Sequence, residues 1–131
     1  MKLLYLPLFV IFFMVPATAG PIEKVAELLR QGNVGELSKM FAANVEITIQ
    51  NNDNVYSKVQ AGIILEKFFS QNKPVSVKIF HKVNSNPKYQ FAVVILNTQK
   101  GAYRITYTLK ETDGGLMLIE MRVEAELVHR P

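Results

Sequence analysis

His81 is the side chain in this sequence best suited to chemistry, because an imidazole ring titrates near neutral pH. In the stretch 75–83 it alternates in step with Val77 and Ile79, so we expect it to point toward the interior with them. An imidazole beside a tyrosine hydroxyl can remove a proton next to a carbonyl and stabilise the resulting oxyanion. His81 is therefore the candidate catalytic base, and Tyr103 or Tyr107 is the candidate hydrogen-bond donor.

Aromatic residues accompany His81 in the second half of the chain, and together they could line an apolar pocket with polar tips. The predicted ligand pocket consists of Phe68, His81, Tyr89, Phe91, Tyr103 and Tyr107. The same aromatic residues are also typical of a filled core, and His81 of a hydrogen-bonded histidine at the rim of a sheet. The sequence leaves these alternatives open.

Other kinds of chemistry lack the residues they need. His81 and His129 are the only histidines and there is no cysteine, so we expect no metal site, no disulfide and no thiolate chemistry. Glu46 alternates away from its apolar neighbours and is predicted to face solvent, which leaves no buried carboxylate. The sequence has no glycine-rich phosphate loop, no HExxH segment and no context for a Ser-His-Asp triad, so no cofactor is expected.

The N-terminus has the pattern of a cleavable signal peptide. Lys2 precedes an apolar run from Leu3 to Val15, followed by Ala17-Thr18-Ala19. We therefore predict a signal peptide over 1–19 and a single domain over 20–131, exported to the periplasm or beyond the cell. An uncleaved anchor is the alternative. Without a cysteine the product is not a lipoprotein, and no later segment is predicted to span a membrane.

Alternation with a period of two predicts four consecutive strands between Val75 and Leu127. In the last of them Met117, Ile119, Met121 and Val123 are predicted to face the core, which leaves Leu118 on the charged outer face. Before them we predict two helices, a hairpin with a strand at 45–50 and a return at 55–56, and a third helix. Asn33 and Glu36 are predicted to begin the second helix, which continues through Phe41. A capping box of Ser57 and Gln60 begins the third.

This order of elements predicts an α+β fold with helices packed on a curved antiparallel sheet. It resembles the cone-shaped nuclear transport factor 2-like, or cystatin-like, fold. The segments that carry a closer resemblance are GNVGELSKMF (32–41), VEITI (45–49), YSKVQAGIILEKFF (56–69), His81 and GAYRITYTLK (101–110). They are similar to a family of secreted bacterial proteins classed as a domain of unknown function. Gly62 departs from that pattern, since a larger residue is usual inside the helix. The resemblance implies a fold and export, and it implies no activity.

From these features we predict an exported non-enzymatic domain that binds a small apolar or amphipathic ligand, or a protein partner. The alternatives are a lyase- or isomerase-like enzyme that uses His81, and a self-associating module. The resemblance implies face-to-face pairing of such sheets, so a homodimer is one expected form, with Leu118 as an apolar contact. Nucleic acid is not an expected partner, because the formal net charge is only +4 and the basic residues are scattered among glutamates.

Overall fold

The computed structural model describes residues 20–126, and the predicted signal peptide, Leu127 and His129 lie outside this range. Three helices and six strands make up the described chain. The helices are α1 (Pro21–Gln31), α2 (Val34–Leu37) and α3 (Lys58–Gln71), with a short 3-10 turn at Ser38–Met40 after α2. The strands are β1 (Phe41–Ile49), β2 (Asn52–Ser57), β3 (Pro74–Val83), β4 (Tyr89–Thr98), β5 (Gly101–Thr112) and β6 (Gly115–Ala125).

The helix starts follow the predicted capping chemistry. The side chain of Asn33 accepts a hydrogen bond from the backbone N–H of Glu36 at 3.1 Å. Ser57 and Gln60 form the capping box that begins α3. Gly32 ends α1 in the left-handed region at φ 65°. The prediction that the second helix continues through Phe41 is wrong, because Phe41 instead pairs with Leu118 at the start of β1.

One six-stranded sheet contains all the strands in the order β2-β1-β6-β5-β4-β3. Strands β3 to β6 form the predicted antiparallel meander. The hairpin of β1 and β2 joins it through a parallel pairing of β1 with β6. The helices cover one face of this curved sheet, so the α+β prediction is confirmed. No helix within 20–126 has both the length and the apolar character needed to cross a membrane.

Three β-bulges in β3 and β6 decide which side chains of these two strands face the helices. In β3, Val75 and Phe80 are extra residues relative to β4. On either side of Val75, Pro74 pairs with Thr98 and Ser76 with the adjacent Asn97. On either side of Phe80, Ile79 pairs with Val94 and His81 with the adjacent Val93. In β6, Ile119 is extra relative to β5. An inserted residue reverses the facing of every side chain after it.

The bulge in β6 overturns one prediction about that strand. Met121 and Val123 face the core as predicted. In the part of β6 that precedes Ile119, the facing of the side chains is the reverse of the prediction. Leu118, predicted on the outer face, is fully buried, whereas Met117 lies on the outer face. Leu118 therefore offers no contact to a second molecule.

The core lies between the helices and the covered face of the sheet. Its largest fully buried side chains include Leu29 of α1, Leu65 of α3, Leu96 of β4 and Tyr107 of β5. The other side of the sheet, here called the outer face, has no helix within 20–126 packed on it.

Candidate functional site

Three of the six predicted pocket residues, Phe68, Tyr103 and Tyr107, lie on the helix-covered face. The Tyr107 hydroxyl is buried and donates a hydrogen bond to the carbonyl oxygen of Ile22 at 2.8 Å. Burial raises the pKa of this hydroxyl well above its ordinary value. The Tyr103 hydroxyl donates to Oδ1 of Asn72 at 2.9 Å, and the Tyr103 ring packs edge-on against Phe68 with ring centroids 5.0 Å apart. The hydroxyl groups of Tyr103 and Tyr107 therefore both form hydrogen bonds within the protein.

The other three, His81, Tyr89 and Phe91, lie on the outer face. Tyr89 and Phe91 alternate with the buried residues Ala92 and Val94. The predicted inward orientation of His81 is wrong, because the bulge at Phe80 shifts the alternation by one residue and turns His81 outward beside Val93. The structure thus separates the predicted pocket into two groups on opposite faces of the sheet.

The predicted pairing of a base with an oxyanion donor is consequently not assembled. His81 is exposed on the outer face, and Tyr103 and Tyr107 lie across the sheet from it. One shallow depression of about 240 Å³ between α3 and the β1–β2 hairpin includes Phe68. A larger one of about 480 Å³ lies between the start of α3 and the starts of β1 and β6, and contains none of the predicted pocket residues.

The outer face of β3, β4 and β5 carries exposed and half-buried apolar side chains with basic residues around them. Phe80 is 62% exposed, and the Arg104 guanidinium lies 6.0 Å from the centre of its ring, at cation–π distance. The apolar members are Phe80, Val83, Tyr89, Phe91, Val93 and Ile95. The titratable or cationic members are Lys78, His81, Arg104 and Lys110. We call this surface the apolar–basic half.

The outer face of β2, β1 and β6 is acidic by contrast. Glu46 pairs in register with Glu120, and Thr48 pairs with Asp53, whose carboxylate accepts a 2.8 Å hydrogen bond from the threonine hydroxyl. Arg122 and Glu124 form an exposed ion pair beside them. We call the surface formed by Glu46, Asp53, Val55, Glu120, Arg122 and Glu124 the acidic half.

The acidic half places Glu46 near other carboxyl groups. A hydrogen bond with the Asp53 carboxyl group, and the negative charge of that group, raise the pKa of Glu46; Glu120 adds to the effect and Arg122 opposes it. Among the ion pairs of residues 20–126, none involves Glu46, Glu120, Lys78 or Lys110. Each half therefore presents charge that this chain does not neutralise by an ion pair.

Sequence reasoning proposed only Leu118 as an apolar contact on the outer face and did not identify the apolar–basic half. The signal in the sequence was that β4 is apolar on both sides, with Phe91, Val93 and Ile95 on the second side. The acidic half could not be recognised in the same way, since its carboxylates come from three strands that are distant in sequence.

A family model described as Domain of unknown function (DUF4783) matches residues 22–124. The chain belongs to the DUF4783 family. This confirms the predicted resemblance to a domain-of-unknown-function family. No match was found among curated proteins.

Solved structures give the same fold. A DUF4783 family protein from Bacteroides uniformis has a TM-score of 0.78 at 24% identity, over 83% of this chain and all of that one. A domain of unknown function with a cystatin-like fold from Nostoc punctiforme has a TM-score of 0.64 at 8% identity, over 82% of this chain and 74% of that one. The protein named Rd1NTF2_04 with long sheet has a TM-score of 0.62 at 13% identity, over 78% of this chain and 94% of that one. These similarities establish a cystatin-like and nuclear transport factor 2-like fold.

Proposed function

We propose that this DUF4783 protein is a non-enzymatic protein-binding domain and that its binding surface is the apolar–basic half of the outer face. The observation that carries the proposal is the exposure of Phe80 on the edge strand β3, next to the apolar outer-face side chains of β4. Contiguous apolar surface on a folded domain is typical of a binding site. Following the predicted signal peptide, we propose that the protein acts outside the cytoplasm.

The bulge in β3 is the structural reason for this exposure. It places Phe80 against solvent and Arg104, although the same strand buries Ile79 partly against the core. Burying a phenylalanine side chain stabilises by about 1.5–3 kcal/mol. The isolated chain forgoes most of this stabilisation, and a partner that covers Phe80 would recover it.

The residues around Phe80 indicate the chemistry of the partner. Lys78 of β3 and Arg104 of β5 lie on either side of Ile95 of β4, and Arg104 also pairs with Glu126. Lys110 lies near the other end of this half, beside Tyr89. Aromatic and arginine side chains are the residue types that contribute most to protein interfaces. The fitting partner is a protein surface with apolar contacts and a rim of carboxylates.

The small-ligand alternative has less support from the geometry. Tyr103 and Tyr107 use their hydroxyl groups in hydrogen bonds within the domain. The Phe68 ring packs against Phe69 and Tyr103.

Site-specific photo-crosslinking in the host cell tests the proposal. A photoreactive phenylalanine derivative is introduced at position 80 and, as a matched control, at position 63 on α3, because Phe80 is 62% and Ile63 is 63% exposed. We expect a protein adduct of defined mass from position 80 and none of that mass from position 63. Equal adducts from both positions, or none from position 80, would contradict the proposal.

A further inference from the structure

We infer that the free edge of β2 is a second binding site, where an extended basic segment of another protein adds as a further strand of the sheet. This inference goes beyond the proposed function, because β2 lies at the opposite end of the sheet from β3 and Phe80. Strand β2 pairs with β1 on one side and with no strand of residues 20–126 on the other. Along such an edge, the backbone N–H and C=O groups of alternate residues point away from the sheet and are available to another chain.

The two edges of the sheet differ in how open they are to another strand. Strand β3 has two bulges, begins with Pro74 and carries Lys78 and Lys82. Helix α1 also packs beside it, where Glu23 pairs with Lys82. Bulges, prolines and lysines are the features that protect edge strands from pairing. Strand β2 has none of them, keeps a continuous register with β1 and exposes every residue except the half-buried Tyr56.

The outer side of the β2 edge favours a partner with cationic side chains. Val55 pairs with Glu46, which pairs in turn with Glu120, and Asp53 lies near Glu46. Among the ion pairs of the described chain, none involves these three carboxylates, and Arg122 of the same surface pairs with Glu124 instead. A strand added beside β2 would place its outer side chains opposite Asp53 and Val55. Lysine or arginine there would form favourable cross-strand pairs.

The helix-covered side of the same edge favours apolar side chains. The shallow depression of about 240 Å³ between α3 and the β1–β2 hairpin is lined by Ile49, Asn52, Ile64, Lys67, Phe68 and Gln71. Ile49 and Ile64 are only half-buried there. Because Asn52 belongs to β2, an inward side chain of an added strand would lie over this depression. In strand addition the main chain supplies affinity and alternate side chains supply specificity. The fitting segment therefore alternates basic and apolar residues.

A short synthetic peptide in which valine and arginine alternate is the probe for this site. Its binding to the protein as its host produces it is measured by fluorescence anisotropy. The same peptide with glutamate in place of arginine is the control for charge. Two further forms carry N-methyl groups on one or the other alternate set of backbone nitrogens. Since an added strand directs only alternate N–H groups toward its neighbour, the two forms block different sets.

We expect the arginine peptide to bind with a dissociation constant below about 1 mM and the glutamate peptide to bind more weakly. One N-methylated form should bind like the unmodified peptide, whereas the other should lose binding because its methyl groups replace the N–H groups that face β2. Amide hydrogen exchange should slow at alternate residues of β2, which would locate the peptide at this edge.

Two matched lysine substitutions test the position of the site. Val55→Lys places a cation opposite the added strand and should weaken binding by about two- to fivefold. Val59→Lys on α3 is the control, because Val55 is 67% and Val59 is 71% exposed. The control should bind the peptide like the wild type, and circular dichroism confirms that each variant is folded.

Two matched neutralised variants test the role of charge. Glu46→Gln combined with Asp53→Asn removes the carboxylates beside the edge and should weaken binding by up to about fivefold. Glu66→Gln combined with Asp113→Asn removes the same charge from two exposed positions elsewhere and should have much less effect.

Three outcomes would overturn the inference. They are no binding up to about 1 mM, equal effects of the two N-methylations, and the same loss of binding in Val59→Lys as in Val55→Lys. Sedimentation adds a fourth, because a dimer that Val55→Lys dissociates would place a second copy on this edge and reject the basic segment as its occupant. None of these measurements involves Phe80, so the outcome at β2 and the crosslink at position 80 can fail independently.

Discussion

Removing the hydroxyl group of Tyr107 should destabilise the protein, because this group is part of the core and not of a ligand pocket. The Tyr107→Phe variant loses the hydrogen bond to the carbonyl oxygen of Ile22, which is 2.8 Å long and joins two buried residues. Ile22 lies in the first turn of α1, where its carbonyl also belongs to the helical ladder and so keeps one partner. The expected cost is therefore that of one neutral hydrogen bond, about 1 kcal/mol.

The same substitution at two other tyrosines shows whether the expected loss of stability at Tyr107 comes from its buried hydrogen bond. Tyr103→Phe removes a donor from Asn72 at a part-buried site that solvent can reach, so it should cost less than Tyr107→Phe. Tyr89→Phe makes the same chemical change at an exposed position on the outer face and should leave the free energy of unfolding unchanged. The predicted order of destabilisation is Tyr107, then Tyr103, then Tyr89.

Urea unfolding followed by far-ultraviolet circular dichroism measures the three variants. A loss of 1 kcal/mol lowers the melting temperature of a domain of this size by about 4 °C, so thermal melts provide a second reading. The reasoning would be refuted by a Tyr107→Phe variant as stable as the wild type, or by a larger loss for Tyr89→Phe than for Tyr107→Phe. Either result would mean that the Tyr107 hydroxyl does not contribute to the stability of the core.

Two further predictions concern the helices. Gly62→Ala should stabilise the protein by up to about 1 kcal/mol, because alanine favours a helix interior. The added Cβ would lie 3.8 Å from Cβ of Ser38 and 3.9 Å from Cγ1 of Val34, which are ordinary contact distances. A lower melting temperature than that of the wild type would show that this contact is too tight. Glu23→Gln should destabilise the protein at pH 7, and by less as the pH falls further below 4.5. The hydrogen bond from Lys82 lowers the pKa of Glu23 from 4.5. A carboxyl group with a lowered pKa contributes stability that is lost as the pH falls through the lowered pKa of the folded state. Unfolding of the variant and the wild type measured from pH 7 downward tests this, and a difference that does not change with pH would contradict it.

Local signals in the sequence were sufficient for the helices and for the existence of the strands. The capping residues Asn33 and Ser57 act over three residues, so their hydrogen bonds do not depend on the rest of the fold. The same holds for the turn at Gly114, whose φ of 88° suits glycine. Both kinds of feature can be recognised before any tertiary contact is known.

The sequence was less reliable in predicting which face of the sheet each side chain lies on. A period of two assigns faces correctly only while the ladder is regular, and one extra residue reverses every assignment beyond it. His81 and Leu118 were assigned wrongly for this reason, because each lies next to the extra residue of a bulge. Tyr89 and Phe91 were placed in the predicted pocket, but β4 is apolar on both of its sides, so alternation there does not distinguish the two faces.

The sequence by itself therefore determined the α+β class, the helix boundaries set by caps and the aromatic content of β3 to β5. Only the tertiary structure decided that Tyr107 is buried in the core, whereas Phe80, His81 and Phe91 lie on the outer face. It also brought Glu46, Asp53 and Glu120 together from three strands. The physical reason is that caps and turns are satisfied within a few residues, whereas a bulge or a strand pairing is selected by the packing of the whole sheet.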